Sequence, residues 1–143
     1  MFAYRLEVLR VEEPGFPYAG EQLKDPATVF AFTKTIDRYD TEQFISMFVN
    51  RKNVLIGMTK QPGTTSKNIV YAREIVKTAL LCSATGVIFA HNHQSGNLIA
   101  SREDINLTGK LQEALKLIDV EVLDHLILNG KSFHSMKESG QIQ

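Results

Sequence analysis

The chain predicts a mixed α/β fold, a largely antiparallel β-sheet flanked by helices. Three observations carry this. First, two short apolar runs, Gly86–Ala90 and Val120–Leu128, have the length of buried strands. Second, apolar residues recur at helical spacing over residues 68–81 and 101–118. Third, turn signals separate further short strands: the polar Asn50-Arg51-Lys52-Asn53 stretch, and Asn129-Gly130, a strong hairpin pair. The resulting order, β-α-β-β-α-β-α-β-β, mixes crossovers with hairpins and gives a mixed sheet with helices against it.

Residues 4–11 alternate, with Tyr4, Leu6 and Val8 opposite Arg5 and Glu7, and read as a half-buried strand. Residues 12–25 hold Pro14-Gly15-Phe16-Pro17 and Ala19-Gly20, an irregular connection. Asp25-Pro26 then opens a helix, Asp as N-cap and Pro at the first helical position, because Pro lacks only an N–H that would go unused there. Val29, Phe30 and Ile36 supply its apolar face, and it ends by Asp40. Gln43–Asn50 and Asn53–Thr59 form a hairpin, and 60–67 a loop. A helix over Asn68–Leu81 presents Ile69, Ala72, Val76, Ala79 and Leu80 on one side, with Arg73, Glu74 and Lys77 on the other. After the Gly86 strand and a loop at 94–100, Ser101 caps a helix to about Ile118, with Leu107, Leu111, Ala114, Leu115 and Ile118 inward. Val120–Leu128 and Ser132–Met136 are the last strands, and the polar tail from Lys137 is expected to fray.

At 143 residues the chain is expected to be one domain able to bury its own core, with residues 1–40 a strand–loop–helix extension. Apolar residues make up 43% and charged residues 22%, the balance of a soluble globular protein. The formal net charge is zero and no run of Lys or Arg occurs, so nucleic acid remains a possible partner that charge does not support, since phosphate binding leaves a basic footprint. The single cysteine, Cys82, excludes an internal disulfide; its setting, Leu80-Leu81-Cys82, reads as a buried, unreactive thiol, and the chain as cytoplasmic. No long uncharged apolar stretch or signal peptide is present, so no membrane partner is expected.

Chemistry concentrates in one stretch. His91 and His93 stand at the end of the Gly86 strand, where positions i and i+2 point to one face. A lone strand histidine is ordinarily structural; two at this spacing, followed by a Gly-containing loop, are another matter. Asp104 lies in the first turn of the next helix, from which its carboxylate can reach back to the strand end. Two His and one carboxylate are a three-ligand set suited to a catalytic zinc with one open position, where zinc lowers the pKa of water to about 7. Such a site needs a base that is not a ligand. Glu103 points away from Asp104 on the helix, whereas Glu42, at the start of the 43–50 strand, can approach a sheet-end site. Ser101, besides capping, carries a hydroxyl that can donate to an oxyanion.

Glu42, His91-Asn92-His93, Ser101 and Asp104 match the Glu…His-x-His-x7-Ser-x2-Asp pattern of the JAMM (JAB/MPN+) zinc metalloproteases. More narrowly the chain resembles the RadC-like branch, bacterial proteins named for a DNA-repair role. Ser95-Gly96, Ser101-Arg102-Glu103-Asp104, Leu123-Asp124-His125 and Arg73-Glu74 carry that likeness over about residues 40–138. The resemblance implies a JAB/MPN, cytidine-deaminase-like fold. It implies Zn2+ held by His91, His93 and Asp104, Ser101 near the metal's water, Glu42 as general acid/base, and a peptide or isopeptide bond as substrate. Gln94 stands where that branch usually has Pro, Asn97-Leu98-Ile99-Ala100 replaces a Pro-rich turn, and Tyr71-Ala72 replaces His-Pro. No helix-hairpin-helix segment is expected within the first forty residues.

Two other readings stand beside this one. A non-catalytic DNA- or partner-binding module would leave the metal site structural or vacant, and the complete ligand set counts against it. A nucleobase deaminase would need a Cys-x-x-Cys ligand pair, and Cys82 stands alone. His125, mid-strand beside Asp124, is expected to be structural or to support the site, and His134 to lie at the surface.

Overall fold

The computed structural model describes residues 20–36, 41–62, 70 and 72–143. Within them the chain runs α1 (Pro26–Ile36), β1 (Gln43–Val49), β2 (Leu55–Pro62), α2 (Ala72–Leu81), β3 (Gly86–Asn92), α3 (Arg102–Lys116), β4 (Glu121–Leu128) and β5 (Phe133–Ser135). The expected strand at 4–11 lies outside the described residues.

The strands form one five-stranded sheet in the order β2-β1-β3-β4-β5. β1 pairs antiparallel with both β2 and β3, β4 pairs antiparallel with β5, and only β3 and β4 are parallel. The parallel pair follows from connectivity, because α3 carries the chain across one face between them. The sheet is therefore mixed and largely antiparallel, as the sequence predicts.

Helices cover both faces, which explains why β1 and β3 read as nearly continuous apolar runs. On one face Phe44, Phe48, Val87 and Phe89 pack with Ile75 and Ala79 of α2 and Leu111 and Leu115 of α3. On the other, Ile45, Met47, Ile88 and Ala90 pack with Val29 and Phe32 of α1. The period-two alternation of β3 thus sends Phe89 and His91 toward α2 and α3. Among the described residues no helix is long and apolar enough to cross a membrane.

α1 opens as expected: the Asp25 carboxylate accepts from the Thr28 N–H at 2.7 Å. Several local expectations are corrected. β2 continues through Pro62 where a loop was predicted from Lys60, because Gln61 and Pro62 stay paired to Phe44 and Gln43; β2 is an edge strand, where Pro is tolerated. Val70 lies outside any helix and α2 runs from Ala72, while the expected helix start at Asn68 and Ile69 lies outside the described residues. Its buried face holds Ile75 and Ala79, while Leu80, predicted inward, is exposed. α3 ends at Lys116, two residues early, and Asp119 takes a left-handed φ of 58° as the chain turns into β4. The tail does not fray: Ile142 returns to the core beside Met136, held by the Ile142 N–H on the Met136 carbonyl at 3.3 Å. His134 is half-buried, its Nε2 2.8 Å from Gln141 Oε1, rather than a free surface residue.

The register of β3 on β4 contains one irregularity that matters for the site. Val87 pairs with Val122 but Ile88 pairs with Asp124, so Leu123 is an extra residue bulged out of β4. The bulge reverses the alternation of β4 from that point on. Asp124 joins the side of Ile88, and His125 comes opposite Phe89, on the α3 face.

Candidate metal centre

Two elements build the centre. β3 ends with His91 buried and His93 just beyond it, on the face that α3 crosses. α3 begins with Ser101 as N-cap in extended conformation. The Asp104 N–H donates to Ser101 Oγ at 3.1 Å, and the Ser101 N–H donates to Asp104 Oδ2 at 2.8 Å. This is a capping box with Asp in place of the usual Glu. Asp, one methylene shorter, keeps its carboxylate over the helix start, where the backbone N–H of Ser101 holds one oxygen and the helix dipole favours the charge.

Three side chains converge there. His91 Nε2 is 2.8 Å from His93 Nε2 and 3.2 Å from Asp104 Oδ1, and His93 Nε2 is 3.3 Å from Asp104 Oδ2. Ligand bonds of about 2.0–2.1 Å in a tetrahedron put neighbouring ligand atoms about 3.3 Å apart. The two carboxylate separations match that edge, and the two nitrogens stand closer.

The chemistry of the donor set also asks for a cation. His93 Nδ1 lies 2.8 Å from the Asn97 carbonyl, which can only accept, so Nδ1 carries the proton. The Nε2 of the neutral ring is then a bare lone pair aimed at a second imidazole nitrogen and a carboxylate. In the metal-free protein a proton meets part of that demand. The hydrogen bond to Asp104 raises the pKa of His93 against the opposing effect of burial, with the negative charge of Glu42 adding to it. Burial opposes ionisation of Asp104 most strongly, yet the two imidazoles beside it, His91 and His93, outweigh that and hold the carboxyl well below the usual range. His91, His93 and Asp104 thus form the group of side chains, among the described residues, able to hold a metal ion.

The loop between the two elements is pinned at several points. The His93 N–H donates to Leu128 O at 3.2 Å, the Gly96 N–H to His93 O at 3.0 Å, and Asn129 Nδ2 to Gly96 O at 3.1 Å. Gly96 has φ of 75°, a conformation that costs glycine nothing. The turn delivers the Asn97 carbonyl to His93.

Glu42 lies one residue ahead of β1 rather than within it, beside the His93 end of β3. One of its carboxylate oxygens is 3.5 Å from the Gln94 N–H. Its backbone is gripped by Asn92, a residue to which the sequence assigns no role. The Gln43 N–H donates to Asn92 Oδ1 at 2.7 Å, and Asn92 Nδ2 donates to Thr41 O at 2.7 Å. The middle residue of His-Asn-His therefore points away from its neighbours and ties β3 to the chain on either side of Glu42.

Behind His91 the contacts continue inward. His91 Nδ1 is 2.7 Å from Nε2 of His125, which is completely buried, and His125 Nδ1 is 2.6 Å from the Thr108 hydroxyl. Burial pushes the pKa of His125 well down, and positive charge on His91 would push it further. Its neighbour Asp124 serves the other side of the strand, accepting from Ser135 Oγ at 2.6 Å and from the Lys137 N–H at 3.1 Å. The sequence singles out neither Thr108 nor its link to His125, although a residue four positions after Asp104 on one helix shares its face.

Residues 23–141 match the family described as RadC-like JAB domain. A UPF0758 protein of Rubrobacter xylanophilus is 41% identical over 142 residues, covering 98% of this chain and 60% of that protein. One from Thiobacillus denitrificans is 42% identical over 126 residues, covering 87% of the chain and 56% of the relative. A third, from Geobacillus kaustophilus, is 42% identical over 102 residues, covering 71% and 45%. The chain spans about half the length of the curated relatives it matches.

Proposed function

The chain belongs to the RadC-like JAB domain family, and from that premise we propose that it is a zinc-dependent hydrolase of peptide or isopeptide bonds. His91, His93 and Asp104 would hold the Zn2+, Glu42 is the general acid/base and Ser101 an oxyanion donor. The observation that carries this reading is the convergence of two imidazole nitrogens and one carboxylate, 2.8–3.3 Å apart.

A bound zinc supplies a Lewis acid that polarises a carbonyl and brings the pKa of a water to about 7. The chain's own residues do the rest. Glu42 takes a proton from the attacking water as the new C–O bond forms. It returns that proton to the amine nitrogen as the C–N bond breaks, so one carboxylate serves both steps. Asn92 holds the backbone around Glu42 in place for both transfers. Ser101 accepts from the Asp104 N–H, which leaves its own hydroxyl proton free for the developing oxyanion. The formal net charge of zero gives no support to nucleic acid as a partner, and the single cysteine accords with a cytoplasmic protein.

Elemental analysis of the purified chain, followed by assay against peptide and isopeptide-linked substrates, tests this. The expected result is about one zinc per chain, lost in His91→Ala and Asp104→Ala, and turnover that disappears in Glu42→Gln while zinc is retained. Zinc content unchanged by His91→Ala would overturn the ligand assignment. Undiminished turnover in Glu42→Gln would overturn the acid/base assignment.

A further inference from the structure

The hydrogen bonds behind His91 have a direction, and the Thr108 hydroxyl sets it. Thr108 Oγ1 lies 2.7 Å from the Asp104 backbone carbonyl and 2.6 Å from His125 Nδ1. A hydroxyl has one proton, and a carbonyl oxygen can only accept. Two oxygens 2.7 Å apart repel unless that proton lies between them, so the hydroxyl donates to Asp104 O. It must then accept from His125, which places the His125 proton on Nδ1. A neutral His125 has its lone pair on Nε2, 2.7 Å from His91 Nδ1, so His91 donates there and carries its own proton on Nδ1. His91 Nε2 is left without a proton, so beside Asp104 it can only accept from a protonated His93 Nε2, 2.8 Å away, or bind a cation.

We infer that Thr108 and His125 are positioning residues that hold His91 in its Nδ1–H tautomer, keeping its Nε2 lone pair aimed at the metal centre. The opposite direction is the competing state. There Thr108 donates to His125, His125 donates from Nε2 to His91, and His91 Nε2–H points a proton into the centre. That state loses the bond to the Asp104 carbonyl and sets two oxygen lone pairs against each other in a fully buried place, since Thr108 and His125 are both 0% exposed. The third neighbour of the hydroxyl, Met136 Sδ at 3.9 Å, accepts only weakly and does not alter the count. The device starts and ends on one ligand pair. The carbonyl that orients Thr108 belongs to Asp104, so the residue that supplies the carboxylate also selects, through its backbone, the tautomer of the histidine it faces.

The inference rests on the metal reading above for its purpose but not for its first test. Long-range nitrogen–proton spectra of the full chain, labelled at histidine, chelator-treated and held at about pH 8, report the tautomer of each neutral ring. Nδ1–H on both His91 and His125 is the expected result; Nε2–H on either ring overturns the inference. The second readout is zinc affinity by competition titration. Thr108→Val keeps the shape and removes the hydroxyl, and should weaken zinc by about 10–100-fold, the usual effect of losing a group that orients a ligand. Thr108→Ser should restore both the wild-type tautomers and the affinity. If Thr108→Val fails to fold, the wild-type spectra and Thr108→Ser still decide. If wild type shows both Nδ1–H tautomers but binds no zinc, the tautomer assignment stands and the hydrolase reading falls. If Thr108→Val folds and binds zinc as tightly as wild type, the positioning role falls.

Discussion

Asn92 grips the chain on both sides of Glu42. Its carboxamide accepts from the Gln43 N–H and donates to the Thr41 carbonyl, each at 2.7 Å, from a side chain that is 2% exposed. The backbone pairing of β1 with β3 ends at Phe44 opposite His91, so this side chain extends the sheet past its last rung. Asn92→Ala should lower kcat by about 10–100-fold through displacement of Glu42 while leaving zinc content unchanged. It should also destabilise the fold by about 1–3 kcal/mol, because two backbone groups lose their partner. Asn92→Asp keeps the acceptor for Gln43 but turns an acceptor toward the Thr41 carbonyl, and should fall between alanine and wild type. Parallel measurement of turnover, bound zinc and urea unfolding checks all three. Loss of zinc in step with loss of turnover would mean that Asn92 acts on the ligands instead.

Ser101 has two separable duties. Its Oγ caps α3, and its N–H holds Asp104 Oδ2. Ser101→Ala removes only the first, at a cost of about 0.5–2 kcal/mol, while the backbone bond to the ligand carboxylate remains. Zinc binding should therefore survive, and turnover should fall by about 100-fold or more if the hydroxyl donates to the oxyanion. Ser101→Thr, which keeps the hydroxyl, should recover much of both. Full turnover in the alanine variant would reduce Ser101 to a cap.

Zinc binding should weaken on acidification earlier than a free histidine would predict. A ligating histidine must be neutral. Asp104, and with it Glu42, raises the pKa of His93 above its ordinary 6.5. The protonated form therefore persists to higher pH, and protons compete with the metal on the alkaline side of 6.5. As pH falls through the raised value, apparent affinity should drop by about tenfold per pH unit for the one proton displaced. Glu42→Gln removes one contribution to the shift and should move the onset to lower pH. Competition titrations between about pH 6 and 8.5 measure this; an affinity constant across that range would contradict it.

Gly86 opens β3 in a place where a methyl group would press on its neighbours. A Cβ there would lie 3.0 Å from Leu123 Cδ1 and 3.2 Å from Val49 Cγ2. Gly86→Ala should cost about 1–3 kcal/mol by overpacking against the bulged Leu123. Denaturant unfolding should show a lower midpoint with an unchanged slope. Wild-type stability in this variant would mean that Leu123 swings aside freely and that the bulge is loosely held.

Much of the centre is legible in the sequence because it rests on local geometry. Two residues apart on a strand means one face, and that alone pairs His91 with His93. Three residues from N-cap to N3 means a capping box, and that alone folds Asp104 back over the start of α3. The elements follow from the same short-range periods, and the errors fall where a period has two readings. α2 buries Ile75 and exposes Leu80 because packing against α3, not spacing, selects which stripe turns inward. The tail holds mostly polar residues, yet Ile142 docks in a core the local sequence does not reveal.

The sequence by itself determined that His91, His93 and Asp104 converge, and the strand, loop and helix that carry them. Only the tertiary structure decided what surrounds them. The Leu123 bulge turns His125 toward α3; without it, the alternation from Val122 would send His125 to the opposite face. Contacts 34, 17 and 49 residues apart in the chain join His91 to His125, His125 to Thr108 and Asn92 to Gln43. The physical reason lies in the range of the forces. Backbone sterics and capping act over a few neighbours and leave their pattern in residue spacing, whereas strand register is settled by cross-strand pairing and by the close packing of a shared core.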